Sequence, residues 1–278
     1  MSLLIHAEHL HSIASPALWA GSTASIIPGF AYPGGKKRIR NSIVSFMPTS
    51  GGIYAEPFAG RGNVFWLAAT KLQFSNWWLN DIRTSEFFRA LLSDGDSIEV
   101  PAQTREEFER YKALSSSGDR ASILLAPYLT YNGAGYGASY RSAKGSPTRA
   151  GYERTLRSAN RILTQTRPTI TAHDWKNVHS ELGKGDFALY DPPYIWAAVH
   201  GYGDDDIDYS ELIHALKQAP YHWILCEYLH ESYLEAFGPP FWRKDVQLCS
   251  TNFRYDGGKQ KRVECLWRNF EHLPIPIV

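Results

Sequence analysis

The chain has 278 residues, 44% of them hydrophobic and 21% charged, with a net charge of +1, which suits one large α/β domain with an insertion, or two domains. The near-neutral balance excludes a basic surface spread over the whole molecule, so any nucleic-acid footprint has to be local. Three widely spaced cysteines without a CxxC, ten histidines without an HExxH, and no apolar run near the ~18 residues of a membrane span argue against a disulfide framework, a zinc site and a membrane protein. That cysteine usage fits a reducing, cytoplasmic setting. The start of the chain lacks the basic and apolar regions of a signal peptide. Aromatic content is high, with nine Trp; aromatics fill cores and also stack on bases.

Residues 1–25 are rich in Ser, Ala and His with weak periodicity and read as an N-terminal arm. "GKKRIRNSIVSF" follows with Ile39, Ile43, Val44 and Phe46 at helical spacing. "GGIYAEPF" predicts a strand, "GNVFWLAATKL" a helix opening from glycines, "FSNWWLND" a strand ending in an acid, and "SEFFRALLS" a second helix. This β-α-β-α order is that of a parallel sheet. It breaks at "TREEFERYKALSS", a helix with a Thr104–Glu107 capping box. A helical "ASILLAPYLTYN", a Gly/Ser/Tyr-rich loop and a long basic helix "YERTLRSANRILTQT" come next. Sheet signals resume at "PTITAHD", then "DFALYD", a helix opened by an Asp208–Glu211 capping box, and the buried strand "HWILCEY". Two strands around a Gly-Gly turn end the pattern, an antiparallel hairpin on an otherwise parallel sheet. The chain thus divides into 1–25, 26–95, an insertion over 96–166, and 167–278.

Three stretches carry chemistry or a plainer reading. Glu56, Pro57 and Phe58 lead from the first strand into Gly60 and Gly62, where bare backbone and a helix N-terminus meet. The turn is not GxGxxG, so a phosphate reading is weak, and glycines there also serve packing. Asp81 ends the second strand about 20 residues after the glycines, where an acid commonly accepts from ribose hydroxyls or caps a helix. "LYDPPY" puts Asp191 at the end of an apolar run and then locks the chain with Pro192 and Pro193 before Tyr194. Pro-Pro alone reads equally well as a strand stopper.

Taken together and in order, "YPGGK" (32–36), "AEPFAGRGNV" (55–64), "ND" (80–81) and "DPPY" (191–194) resemble the Dam-like (D12 class, alpha-group) DNA adenine-N6 methyltransferases. The resemblance implies a class I S-adenosylmethionine (SAM)-dependent methyltransferase fold, Rossmann-like, with a helical target-recognition insertion at 96–166. It implies site-specific transfer of a methyl group from SAM to adenine N6 in double-stranded DNA, with no metal. Tyr32, Gly34, Gly35, Lys36, Glu56, Pro57, Phe58, Gly60, Gly62 and Asp81 match its cofactor positions, and Asp174, ending "TAHD", matches the acid that meets the cofactor's adenine. Asp191, Pro192, Pro193 and Tyr194 match its catalytic loop. "YLTYNGAGYGASYRS" resembles its Asn-Gly segment at the start of DNA contact. The expected DNA-binding residues are Tyr136, Tyr140, Arg141, Lys144, Arg149, Arg157 and Arg161. Residues 141–167 hold seven Lys/Arg and one acid, a local +6 in a chain of +1, although an isolated charged helix is often only a solvated face. A restriction endonuclease sharing the same sites is a possible partner of such an enzyme, in the cytoplasm of a bacterium or in phage infection. The competing readings are an N4-cytosine, RNA or protein-glutamine methyltransferase of the same fold, and an inactive DNA- or SAM-binding module.

Overall fold

A seven-stranded sheet organises the chain. The strands are β1 (Ser50–Glu56), β2 (Gln73–Asn80), β3 (Thr169–Thr171), β4 (Phe187–Tyr190), β5 (His222–Tyr228), β6 (Trp242–Gln247) and β7 (Lys261–Arg268). Their order is β3-β2-β1-β4-β5-β7-β6. All neighbours run parallel except β7, which pairs antiparallel with both β5 and β6. The computed structural model describes residues 26–142, 147–195, 207–247 and 261–271. The N-terminal arm, Lys144, Asp204 to Asp206 and the Gly-Gly turn of the last hairpin lie outside those residues.

The central strands are apolar on both sides because both sheet faces are covered. Alternate residues separate into two cores, as a two-residue repeat dictates. Tyr54, Phe187, Leu189, Ile224 and Cys226 face one cluster. Ala55, Ala188, Tyr190, Trp223 and Leu225 face the other. The first cluster is closed by α1 (Arg40–Ser45), α2 (Phe65–Lys71), α3 (Ser85–Asp94), α4 (Arg105–Ser115), α5 (Arg120–Leu129) and α6 (Arg149–Thr166). The second is closed by α7 (Trp175–Glu181), α8 (Tyr209–Gln218) and α9 (Glu231–Phe237).

The predicted capping residues cap. The Thr104 hydroxyl accepts from Glu107 N, and Asp208 accepts from the backbone N–H of both Ser210 and Glu211. Helices α4, α5 and α6 share the core of α2 and α3. Phe30 bridges them, its ring 4.9 Å from Phe87 and 6.0 Å from Tyr152, which stacks in turn on Tyr128 at 5.0 Å.

Strand order reverses between β1 and β4, since β2 and β3 lie to one side of β1 and β4 and β5 to the other. Parallel sheets leave a crevice beyond the carboxyl ends of the strands at such a switch. Glu56 ends β1 and Asp191 follows β4, so the two acids singled out by the sequence flank that crevice.

Candidate active site

One wall of the crevice is the turn from β1 into α2. Gly60 and Gly62 have φ of 53° and 66°, a region that L side chains rarely adopt. They differ in what they face. A Cβ on Gly60 would lie 2.9 Å from the Tyr32 ring, whereas one on Gly62 would meet Phe88 at 3.0 Å and Trp66 at 3.2 Å. Gly60 therefore opens toward the predicted cofactor residues. Gly62 is a packing glycine against α2 and α3.

Carboxylate and amide side chains brace this turn. Asp81 accepts from Gly60 N at 2.8 Å, and from Arg83 N and Thr84 N at 2.9 and 2.8 Å. It therefore ties the glycine turn to the start of α3 and still has acceptor capacity, because a carboxylate offers about four lone-pair sites. Asn63 makes a two-point clamp on Phe30, donating to its carbonyl at 3.0 Å and accepting its N–H at 3.1 Å. That clamp holds the 30–36 segment beside the turn. Asn80 donates to the carbonyls of Pro57 and His173 at 2.9 Å each and accepts from His173 N at 2.8 Å. It joins the ends of β1 and β3. Phe58 is half-buried, its ring 6.3 Å from Tyr190. Glu56 is buried and accepts from the Tyr54 hydroxyl at 2.6 Å. Burial pushes its carboxyl up to about 8, with the Tyr54 hydrogen bond opposing. Asp174 is exposed and caps α7, accepting from Lys176 N at 2.9 Å.

The opposite wall is the loop after β4. Lys36 is buried, and its ammonium reaches the Gly34 carbonyl at 2.6 Å, Asp191 Oδ1 at 2.7 Å and Glu264 Oε1 at 3.5 Å. It also lies 4.6 Å over the Tyr194 ring. Burial alone would lower the Lys36 ammonium, but the two carboxylates outweigh it and hold it above its ordinary value. Burial raises Asp191 to about 6, while Lys36 and, less, the Tyr194 hydroxyl pull it back down. Tyr194 is 8% exposed, donates to Glu264 Oε1 at 2.9 Å and meets Tyr228 edge-on at 4.4 Å. The Pro193 carbonyl accepts from the Tyr209 hydroxyl. Ile195 N donates to Glu227 Oε2 at 3.2 Å. Among the described residues, no hydrogen bond reaches the Pro192 carbonyl. No cluster of three or more metal-ligating side chains occurs among the described residues either.

The insertion departs from the sequence expectation in detail. The Tyr136 hydroxyl donates to the Ser122 carbonyl at 3.1 Å and Tyr140 to the Gln103 carbonyl at 2.6 Å, with both rings 5.8 Å from Phe108. Both tyrosines fasten the loop to α4 and α5, while Tyr131 is the exposed ring, at 52%. Arg141 Nη1 donates to the Pro127 carbonyl at 3.5 Å. Arg149 is engaged by Glu99 at 2.7 Å and Glu153 at 3.3 Å, and Arg157 lies 3.8 Å from Glu153. Arg161 is exposed, with no acidic partner among the described residues. The +6 segment is thus partly neutralised, chiefly by an acid from outside it.

Sequence reading missed Glu227, Glu264, Asn63 and the contact of Lys36 with Asp191. Glu227 had a usable signal, since "HWILCEY" repeats the apolar-run-then-acid form of "FALYD".

The family model for D12 class N6 adenine-specific DNA methyltransferases matches residues 32–221. Among solved structures, the rRNA methyltransferase aviRa from Streptomyces viridochromogenes is similar at 13% identity and a TM-score of 0.39, over 89% of this chain and 90% of that one. SMU.472, a protein assigned as a methyltransferase and complexed with SAH, is similar at 11% identity and a TM-score of 0.32, over 86% of this chain and 54% of its own. No curated protein sequence matches the chain. The family match takes in all four motifs that meet at the β1–β4 switch, and the chain belongs to the D12 class N6 adenine-specific DNA methyltransferases, which transfer a methyl group from SAM to adenine N6 in DNA.

Proposed function

We propose that the chain methylates a flipped adenine at specific DNA sites, with Asp191 and the Pro192 carbonyl accepting the two N–H bonds of the exocyclic amine. The observation that carries this reading is the Asp191 environment. Lys36 fixes one carboxylate oxygen at 2.7 Å, and the next acceptor along the rigid Pro-Pro step is the Pro192 carbonyl, which no hydrogen bond reaches among the described residues. An adenine amine is a poor nucleophile because its lone pair is delocalised into the ring. Two acceptors held in place favour a tetrahedral nitrogen and free that lone pair, which is preorganisation rather than strong base catalysis. Asp191 then takes the proton the amine gives up. The base cannot reach this crevice while stacked in a duplex, so it flips out at a cost of a few kcal/mol. Tyr194 is largely covered by Lys36 and Tyr228, so it walls the pocket, and the base packs against the part of the ring they leave open.

The residues fit the cofactor. At Gly60 a Cβ would fill the space before Tyr32, which leaves bare backbone where a ligand can approach. Asp81 flanks that space with a carboxylate suited to ribose hydroxyls. Glu56, raised by burial to about 8, becomes the carboxylate partner of an ammonium group once that charge sits beside it, and Asp174 is the acid proposed to meet the adenine. Bound there, SAM supplies a methyl group already activated as a sulfonium. Tyr32, Gly34, Gly35 and Lys36 form the side of the pocket that Asn63 holds against the turn.

The 96–166 insertion is the proposed DNA-recognition region, with α6 tracking phosphates. Arg157 and Arg161 are four residues apart and share one helix face. Replacing both by Ala weakens binding about equally for all duplex sequences. The log–log salt dependence flattens by roughly 0.9 per lost phosphate contact. Most of that change is expected from Arg161, because Arg157 already has Glu153 nearby. Duplex binding across a salt series checks it, and an unchanged slope makes α6 a solvated face.

A further inference from the structure

The family match ends at residue 221, yet a carboxylate from β7 reaches the heart of the site. Glu264 Oε1 accepts from the Tyr194 hydroxyl at 2.9 Å and lies 3.5 Å from Lys36 Nζ. A Lys ammonium is a point charge on a flexible four-carbon stem with three donors, so its position is set by its acceptors. Here those acceptors are the Gly34 carbonyl, Asp191 and Glu264. Two are carboxylates that draw on the same cation. With Glu264 in place, Lys36 is shared between them. Without that charge, Lys36 would concentrate on Asp191 and compete with the substrate amine for its lone pairs.

We propose that Glu264 is a positioning residue for methyl transfer, holding Lys36 and Tyr194 together so that Lys36 orients Asp191 without neutralising it as an acceptor. The proposal rests on the assignment of Asp191 as the amine's acceptor. It concerns a strand that none of the four motifs includes, and it gives Lys36 a role in tuning the catalytic loop beside its place near the cofactor.

The groups around Asp191 come from several elements. Lys36 comes from the segment before α1, Glu264 from β7, Tyr194 from its own loop, Glu56 from β1, and Cys226 and Glu227 from β5. Burial raises Asp191, Lys36 lowers it and Glu264 raises it. A Glu264→Gln variant moves Asp191 the other way. Gln keeps the volume and an acceptor for Tyr194 but removes the negative charge that raises Asp191. Its acid form is then reached only at lower pH.

The test is kcat against pH on duplex DNA at saturating SAM for the wild type, E264Q and E264D, with S-adenosylhomocysteine titrated calorimetrically into each protein. The titration counts binding-competent sites, so a partly unfolded variant is still read per folded molecule. In the wild type, kcat falls as pH drops through about 6, where Asp191 takes up its proton. E264Q is expected to bind S-adenosylhomocysteine as the wild type does, to lose roughly tenfold or more in plateau kcat through misplaced acceptors, and to show its acid limb at lower pH. E264D keeps the charge and is expected to keep the limb where the wild type has it. An E264Q limb at the wild-type position overturns the proposal, whether or not plateau kcat falls, because a packing role alone changes amplitude without moving the titration. If Asp191 itself proves dispensable, the underlying assignment fails first, and that result is separate from the limb shift.

Discussion

Replacing Asp191 by Asn removes methyl transfer while the protein remains folded and binds S-adenosylhomocysteine. The substitution keeps the shape of the side chain but turns half of it into a donor. The amine N–H bonds need acceptors, so the Asn amide both loses a contact and presents a repulsive one. Loss of an aligned group that acts on charge developing in the transition state costs about 10²-fold or more in kcat. The consequence for folding is smaller. Lys36 loses its 2.7 Å carboxylate partner but keeps Glu264 and the Gly34 carbonyl, and Asp191 is itself 22% exposed. A loss of about 1–2 kcal/mol corresponds to a fall of a few degrees in Tm for a chain of this size. Single-turnover kinetics with calorimetry and a melting curve separate these effects. Turnover near the wild-type rate would remove Asp191 from the mechanism.

Gly60→Val is the second large effect, and it falls on the cofactor. At φ 53° a β-branched residue is strained, and its Cβ would sit 2.9 Å from the Tyr32 ring. Tyr32 then moves into the space the ligand needs, or the turn opens and pulls on Asp81 and Thr84, which bond Gly60 through its N–H and carbonyl. Calorimetry is expected to show S-adenosylhomocysteine binding weakened ~100-fold or more, equivalent to about 2.7 kcal/mol. Backbone strain alone is controlled by Gly185→Val. Gly185 has φ 93°, and a Cβ added there would meet no atom within 4 Å, so that variant loses stability yet keeps ligand affinity. Normal binding in Gly60→Val places the cofactor elsewhere.

Much of the fold was legible because its signals are local. Strands buried on both faces read as apolar runs, and those of β1, β4 and β5 are where "GGIYAEPF", "DFALYD" and "HWILCEY" put them. The acids at strand ends were legible for the same reason. Helices α7 and α9 were not, since each is seven residues long and buries one or two of them, too few for a periodic pattern. Contacts between distant segments were hidden as well. Nothing near Arg149 in sequence announces Glu99, and nothing near Lys36 announces Glu264. The two tyrosines of the insertion were assigned to DNA by the resemblance of "YLTYNGAGYGASYRS" to the family's Asn-Gly segment, but a motif does not say where a hydroxyl points, and theirs point into the backbone of α5 and of the segment before α4. Gly62 sits in a motif beside a ligand turn yet serves the packing of Trp66 and Phe88.

On the proposed mechanism, methyl transfer to adenine N6 in DNA runs through Asp191. Its most direct test is incubation of a random-sequence duplex library with SAM, followed by nucleoside mass spectrometry and per-base mapping of the modification. The expected product is N6-methyldeoxyadenosine at a defined subset of sites, and none with Asp191→Asn. N4-methylcytosine, modification confined to an RNA control, or equal product from the variant would contradict the account.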